Sequence, residues 1–371
     1  MNEGEGITPR SFLITLAVAI AVMLGLFLVD TFLARMERTE SQLQAVRLFE
    51  EGTRLSSLGQ YREAADRLRA ALANARDNRE YQLALAQTLL EAGAMPEAER
   101  NLLALLQNAA NNGPANLAMA RLLTREGKAN DAVSYYHRAI YGQWKGDTSK
   151  SLVQARFELT DLLATQNAQK ELLAELLVLQ DEVSKDPLTA KRIARLYLVA
   201  GSPVRAAPLF REILRANPED GDARAGLGEA DFAAGNYRSA QAHFLAALHA
   251  SSDSTAIKQR LELCTEVLAL DPQQRGLSTR ARYLRSVKLI ELALERLNQC
   301  VPASNSQAGS ELVEESHRLL DHRAGFVSSE AVDKNLDLAE RLWQTRRRQC
   351  PEASRQNEEP LELVMARVFQ R

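Results

Sequence analysis

Aromatic residues are scarce, at 5% of 371 residues, and charge of either sign has no surplus, since 46 Lys and Arg face 48 Asp and Glu for a formal net charge of -2. The first scarcity argues against sheets, whose strands favour aromatic and β-branched residues, while abundant Leu and Ala favour helices. The second sets nucleic acid aside as a partner, because no basic excess is left to neutralise a phosphate backbone. Histidine is sparse too: the five show no HExxH spacing, and His317 and His322 stand five apart, which does not stack them on one helix face. A phosphate loop is also missing, since Ala225-Gly226-Leu227-Gly228 lies inside a helical stretch with no strand before it. No catalytic, cofactor-binding or metal-binding residue is therefore expected, and no small-molecule substrate is evident.

What the chain has is 46% hydrophobic residues, enough for a core, and one long apolar run. From Phe12 to Val29 only Thr15 interrupts it. Extended to Leu33, with Asp30 at the edge, such a helix spans a hydrocarbon layer of about 30 Å. A cleaved signal peptide would have a shorter apolar region, a more basic start and a small-residue cleavage site, none of which is present. The expectation is an uncleaved, single-pass anchor in a cell (inner) membrane, with a short tail at 1–11, the span at 12–33 and a helical stem at 34–44. Its orientation is finely balanced, because Arg10 and the terminal amine face Arg35 and Arg38 across it.

Beyond the stem the sequence repeats. Gly59, Gly93 and Gly127 are 34 residues apart, Gly201 and Gly235 keep the same interval, and Ala64, Ala98, Ala132, Ala206 and Ala240 each follow five residues later. Each unit reads as two helices joined at the glycine, which ends the first helix in a left-handed turn, while the small Ala lets the second helix approach closely. Gly127 to Gly201 is 74 residues, two periods plus six, so an insertion is implied, and Tyr141 to Lys150 breaks the helical pattern. Counting back one period from Gly201 places the missing turn at Asn167, and Leu172 stands where the small Ala belongs.

The pattern resembles the tetratricopeptide repeat family, over most of 45–254. Leu227-Gly228, Gly235-Asn236-Tyr237, Ala240, Phe244 and Ala247 carry the likeness, as do Ile193-Ala194, Tyr197, Gly201, Ala206, Phe210 and Pro218. The resemblance implies an all-α solenoid of about six helical hairpins whose first helices line a concave face that binds other proteins or peptide segments. On that face it would place Arg121, Arg125, Lys191, Arg192 and Arg195, cations suited to receiving carboxylates. The Lys and Asn set with which some family members hold a C-terminal carboxylate is not reproduced, since Arg195 stands where the Asn would be.

After Ser254 the period fails. A capping helix, Ala256 to Leu270, and a C-terminal helical domain completing 255–371 are expected, with helices near Leu277 to Gln299, Glu311 to His322, Ala331 to Arg348 and Pro360 to Gln370. Cys300 and Cys350 each end a helix shortly before a proline. A disulfide between them would need an oxidising compartment and would turn the body to the extracytoplasmic side, whereas the charge count at the span leans towards the cytoplasm. Cys264 reads as a core residue. Two functions remain open on the sequence. One is a membrane-anchored, non-enzymatic scaffold or adaptor, chaperone-like or assembling a complex. The other is an accessory or catalytic subunit of a membrane enzyme with its activity in the C-terminal segment.

Overall fold

The structure, a computed structural model, describes residues 9–146, 148–182, 186–250, 254–300, 307–321, 327–350 and 359–369; the side chains at 9–15, 17–19, 21, 34, 300 and 307–310 also lie outside the description. Among the described residues every element is helical, with one isolated bridge between Asn112 and Gln143. The chain divides into two compact units, Met1–Gln166 and Asn167–Arg371. The division falls inside the expected fourth hairpin, just before Leu172, which is itself fully buried.

The first unit comprises α1 (Pro9–Ser57), α2 (Tyr61–Asn74), α3 (Arg79–Glu91), α4 (Met95–Asn108), α5 (Gly113–Arg125), α6 (Ala129–Ile140) and α7 (Ser149–Thr165). The hairpins α1/α2, α3/α4 and α5/α6 turn at Gly59, Gly93 and Gly127, with φ of 78°, 77° and 75°. In each, the residue after the glycine donates its N–H back across the helix end: Gln60 to Leu55, Ala94 to Leu89 and Lys128 to Leu123, at 2.9–3.0 Å. That bond satisfies a carbonyl the helix end would otherwise leave unpaired, and it needs the left-handed glycine. Asn78 and Asn112 start α3 and α5 by accepting from the backbone N–H of Tyr81 and Ala115. The small Ala64, Ala98 and Ala132 are fully buried.

The residues expected as span and stem are continuous with the first hairpin helix, since α1 runs unbroken for 49 residues. The residues 34–44 expected as a helical stem lie within α1, and nothing between Pro9 and Ser57 breaks a helix except Gly25 and Gly52, where an isolated Gly costs only about 1 kcal/mol. Among the described residues no helix is long and apolar enough to cross a membrane. The first part of the expected span, at 12–15, 17–19 and 21, lies outside the described side chains, as does the tail at 1–8. The described side chains from Val22 to Val29 are all exposed.

The insertion falls where the repeat arithmetic puts it. Gln143 donates its N–H to the Asn111 carbonyl at 2.6 Å and accepts from Gly113 N–H at 2.9 Å, stitching the segment after α6 to the start of α5. Trp144 then lies over Gly113, its Nε1–H donating to the Ala139 carbonyl at 2.8 Å. A Cβ on Gly113 would come within 2.1 Å of Trp144 Nε1. Gly113→Ala should therefore displace the indole and destabilise the first unit by about 1–3 kcal/mol, the usual cost of overpacking. Thermal denaturation followed by tryptophan emission checks it; an unchanged midpoint and emission would show that the indole is not held there.

The second unit continues with α8 (Gln169–Glu182), α9 (Pro187–Val199), α10 (Pro203–Ala216), α11 (Gly221–Ala233) and α12 (Tyr237–Ala250). Asn167 has φ of 58° and stands with Gly201 and Gly235 (φ 68° and 74°) as a left-handed turn residue. Asn tolerates that conformation better than most residues. The glycines of α11 are there for contact: a Cβ on Gly226 would meet Phe210 at 2.3 Å and one on Gly228 would meet Phe244 at 2.7 Å. They admit the rings of α10 and α12 against the helix backbone.

The rest is α13 (Thr255–Leu270), α14 (Thr279–Cys300), α15 (Gln307–Asp321), α16 (Ser329–Gln349) and α17 (Pro360–Phe369). The expected helix ends hold within a few residues among those described; His322 and Gln370 lie outside. One apolar core runs from Phe232, Tyr237 and Phe244 through Cys264 and Val267 of α13 to Ile290, Leu342 and Met365. In that core α13 lies against the last hairpin, with α14, α16 and α17 sharing the same cluster. Arg367 on α17 reaches Asp271 at 2.8 Å, and Arg285 donates to the Leu268 and Asp271 carbonyls that end α13.

Candidate partner-binding face

The first helices of successive hairpins stand side by side within each unit, and four of the five predicted cations, Arg121, Arg125, Lys191 and Arg195, reach across to acidic side chains of the neighbouring repeat. Arg121 on α5 forms two parallel bonds to Glu158 on α7, Nε to Oε2 at 2.9 Å and Nη2 to Oε1 at 2.8 Å. Glu158 also accepts from Gln154 Nε2 at 2.9 Å and from the Tyr136 hydroxyl at 3.3 Å. Burial pushes the Glu158 carboxyl up, but the bonds from Arg121 and Gln154 and the Arg121 charge outweigh it and hold the group below its ordinary 4.5. Burial pushes the Tyr136 phenol up to about 12, so it stays a donor.

Arg125, one turn on, ties α5 back to α3. It donates to the Leu90 carbonyl at 2.7 Å and to Glu91 Oε1 at 2.8 Å. In the second unit Lys191 on α9 sits 2.7 Å from Asp220 Oδ2, and both side chains are largely buried. Asp220 is also the N-cap of α11, accepting from Ala223 N–H at 2.9 Å. Burial raises its carboxyl, but the Lys191 hydrogen bond and the Ala223 N–H override that, so it sits below its ordinary value. Arg195 is more than half exposed and 3.4 Å from Asp222 Oδ2. Arg192 is exposed on the same helix. Arg260 on α13 continues the series to Glu229 on α11 at 3.2 Å.

The sequence reading offered these side chains as receivers for a partner's carboxylates; the structure shows Arg121, Arg125 and Lys191 already bound to carboxylates or carbonyls of the neighbouring helix. They act as ties between repeats. The spacing carried a signal that the sequence reading did not use, because residues one period apart occupy equivalent places in adjacent hairpins. Arg125 and Glu91 are 34 apart and fit that rule, whereas Arg121 and Glu158 are 37 apart, three short of the 40 residues that separate equivalent places across the insertion.

Because Glu158 titrates below its ordinary value in the folded chain, its contribution to stability is complete above pH 4.5 and is lost as pH falls below that. Glu158→Gln should flatten the acid side of the stability-against-pH curve of the first unit. Urea midpoints at a series of pH values measure this; an unaltered acid slope would show that the pair with Arg121 contributes nothing.

A second feature was not anticipated. An open cleft of about 660 Å³ lies in the first unit between the start of α3, at Arg79 and Leu83, and the stitched segment carrying Asn112, Trp144 and Lys145. The insertion builds one wall, and the repeat pattern could not foretell it because this segment is outside the pattern. Among the described residues no three His, Cys, Asp or Glu side chains are placed to hold a metal ion. Cys350 ends α16 and is disulfide-bonded. Cys264 is a free, buried thiol. The side chain of Cys300 lies outside the described residues.

Models of the tetratricopeptide repeat match residues 49–114 and 197–260. No curated protein matches the sequence. Among solved structures, the chain is similar to YrrB, described as a TPR protein with an unusual peptide-binding site, at 13% identity and a TM-score of 0.46, over 53% of this chain and 99% of that one. It is similar to PilW, described as a type IV pilus biogenesis factor, at 17% identity and 0.43, over 58% and 98%. The C-terminal part of a TPR repeat-containing protein from Cytophaga hutchinsonii gives 10% identity and 0.45, over 85% and 99%.

Proposed function

The chain belongs to the tetratricopeptide repeat family, and from that premise we propose that it is a membrane-anchored adaptor that binds other proteins or peptide segments on the first-helix faces of its hairpins and has no catalysis of its own. The observation that supports binding on these faces is the exposure of Arg195 on α9, more than half open to solvent and 3.4 Å from the exposed Asp222, with Arg192 exposed on the same helix. An acidic segment of a partner can compete for such an exposed pair, whereas the largely buried Lys191–Asp220 pair is costly to break. Anchoring is supported by the run Phe12 to Val29 and by the exposed apolar side chains described from Val22 to Leu33, which need another cover. A bridge between Cys300 and Cys350 is supported by the bonded state of Cys350 in a chain of three cysteines whose Cys264 is free, and it favours an extracytoplasmic body.

Crosslinking of the full chain in its native membranes, followed by partner identification, tests the reading. The double variant Arg192→Glu/Arg195→Glu should lose the partner while keeping its melting temperature, and the wild type should stay in the pellet on carbonate extraction. A partner held equally by the variant would overturn the assigned face; a chain released by carbonate would overturn the anchor.

A further inference from the structure

We propose that two copies of this chain associate in parallel through the stretch of α1 that precedes the first hairpin. Val29, Phe32, Met36, Thr39, Leu43 and Val46 follow one another at intervals of three and four residues, the spacing of the a and d positions of a coiled coil. The five apolar members are exposed by 45–62% of their surface, so nothing among the described residues covers this stripe.

The stripe is also on the correct side of the helix. The face of α1 that packs on its own unit is given by Ala45, Leu48 and Phe49, which meet Ala71 and Tyr81, and by Gly52, which lies against Leu68. At about 100° per residue the stripe lies roughly 160° round from that face. A second helix can therefore lie along it without displacing α2 or α3.

Charge complementarity names the occupant. Arg35 precedes the Met36 position and Glu40 follows the Thr39 position, which makes them g and e residues of the repeat. In a parallel pair a g residue faces the e residue five places on in the other helix, so Arg35 of each copy meets Glu40 of the other, twice per dimer. The stripe from Val29 to Val46 is only about 25 Å long, short for an isolated helix pair in water. Its parallel sense and its strength rest on the anchor proposed above, because two copies in one bilayer share an orientation and a high effective concentration.

The test uses the full chain in native membranes, with single cysteines introduced on the stem and oxidised with copper phenanthroline. Leu43→Cys and Met36→Cys should each give a disulfide-linked dimer, while Ser41→Cys and Arg38→Cys, on the other side of the helix, should not. Adding Glu40→Arg to Leu43→Cys should lower the dimer roughly tenfold, by turning attractions into repulsions, and adding Arg35→Glu as well should restore it. Equal yields from all four positions, or a charge swap that does not rescue, would overturn the proposal. Carbonate fractionation of the same samples reads the anchor separately. Chain that stays in the membrane without stem-specific crosslinks overturns the dimer alone, and chain in the soluble fraction overturns the anchor while its crosslinks still decide the dimer.

Discussion

Replacing Glu362 by Ala is expected to destabilise the second unit by about 3–5 kcal/mol, the cost of leaving one buried charge without its partner. Glu362 is a lone carboxylate on the apolar helix α17, and it is almost fully buried. It is bonded to the equally buried Arg346 of α16, and its other oxygen accepts from Trp343 Nε1–H at 2.7 Å. Losing it strands the Arg346 guanidinium in a core built from Leu342, Val364 and Met365. The surface pair of Arg341 and Glu315, at 2.9 Å and nearly half exposed, is the control, and Glu315→Ala should cost no more than about 1 kcal/mol. The double change Arg346→Met/Glu362→Leu should recover most of the loss, since apolar groups of similar size can replace a buried pair. Urea unfolding of the three variants measures this. Equal shifts for Glu362→Ala and Glu315→Ala would show that the buried pair is not what joins α17 to α16.

That pair was not legible in the sequence, and the reason separates the two parts of the chain. In the repeats, one residue type at one interval reports a backbone requirement: a left-handed turn must recur wherever a hairpin recurs. Even the substitute at Asn167 could be found by counting, and its φ of 58° shows why Asn was acceptable there. The small alanines and the helical Gly226 and Gly228 likewise follow from how closely neighbouring elements approach.

Beyond Ser254 there is no period to count. The helix ends remained readable from prolines and polar loops, but the partner of Glu362 is one of several arginines near the end of α16, and three-dimensional packing alone selects Arg346. The candidate face lies between these extremes. The positions of Arg121, Arg125 and Lys191 on first helices were legible, yet their occupation by Glu158, Glu91 and Asp220 was not read. Assigning a cation to a face says nothing about what the next helix sets opposite it; one period of 34 residues finds Glu91 for Arg125, but Glu158 and Asp220 lie off the period of Arg121 and Lys191 and are selected by packing.

Breaking the proposed bridge at Cys350 is expected to cost about 4 kcal/mol, from the loop of about 50 residues that a bond between Cys300 and Cys350 closes. The effect should appear in Cys350→Ser as a lowered unfolding midpoint of the second unit, and wild type treated with reductant should show the same drop. Thiol counting decides the assignment. Cys264 is buried, and burial pushes its thiol up to about 11, so it should resist alkylation in the folded chain and must be counted after denaturation. With thiols trapped on lysis, the denatured wild type should label at one position, rising to three after reduction. The same count bears on topology. With the proposed anchor, an oxidised pair would place α14 to α17 in an oxidising compartment, with Arg10 and the amine on the cytoplasmic side and the small excess at Arg35 and Arg38 overridden. Three labelled thiols without reduction would remove the bridge and return the charge at the ends of the proposed span as the guide to which side the repeats face.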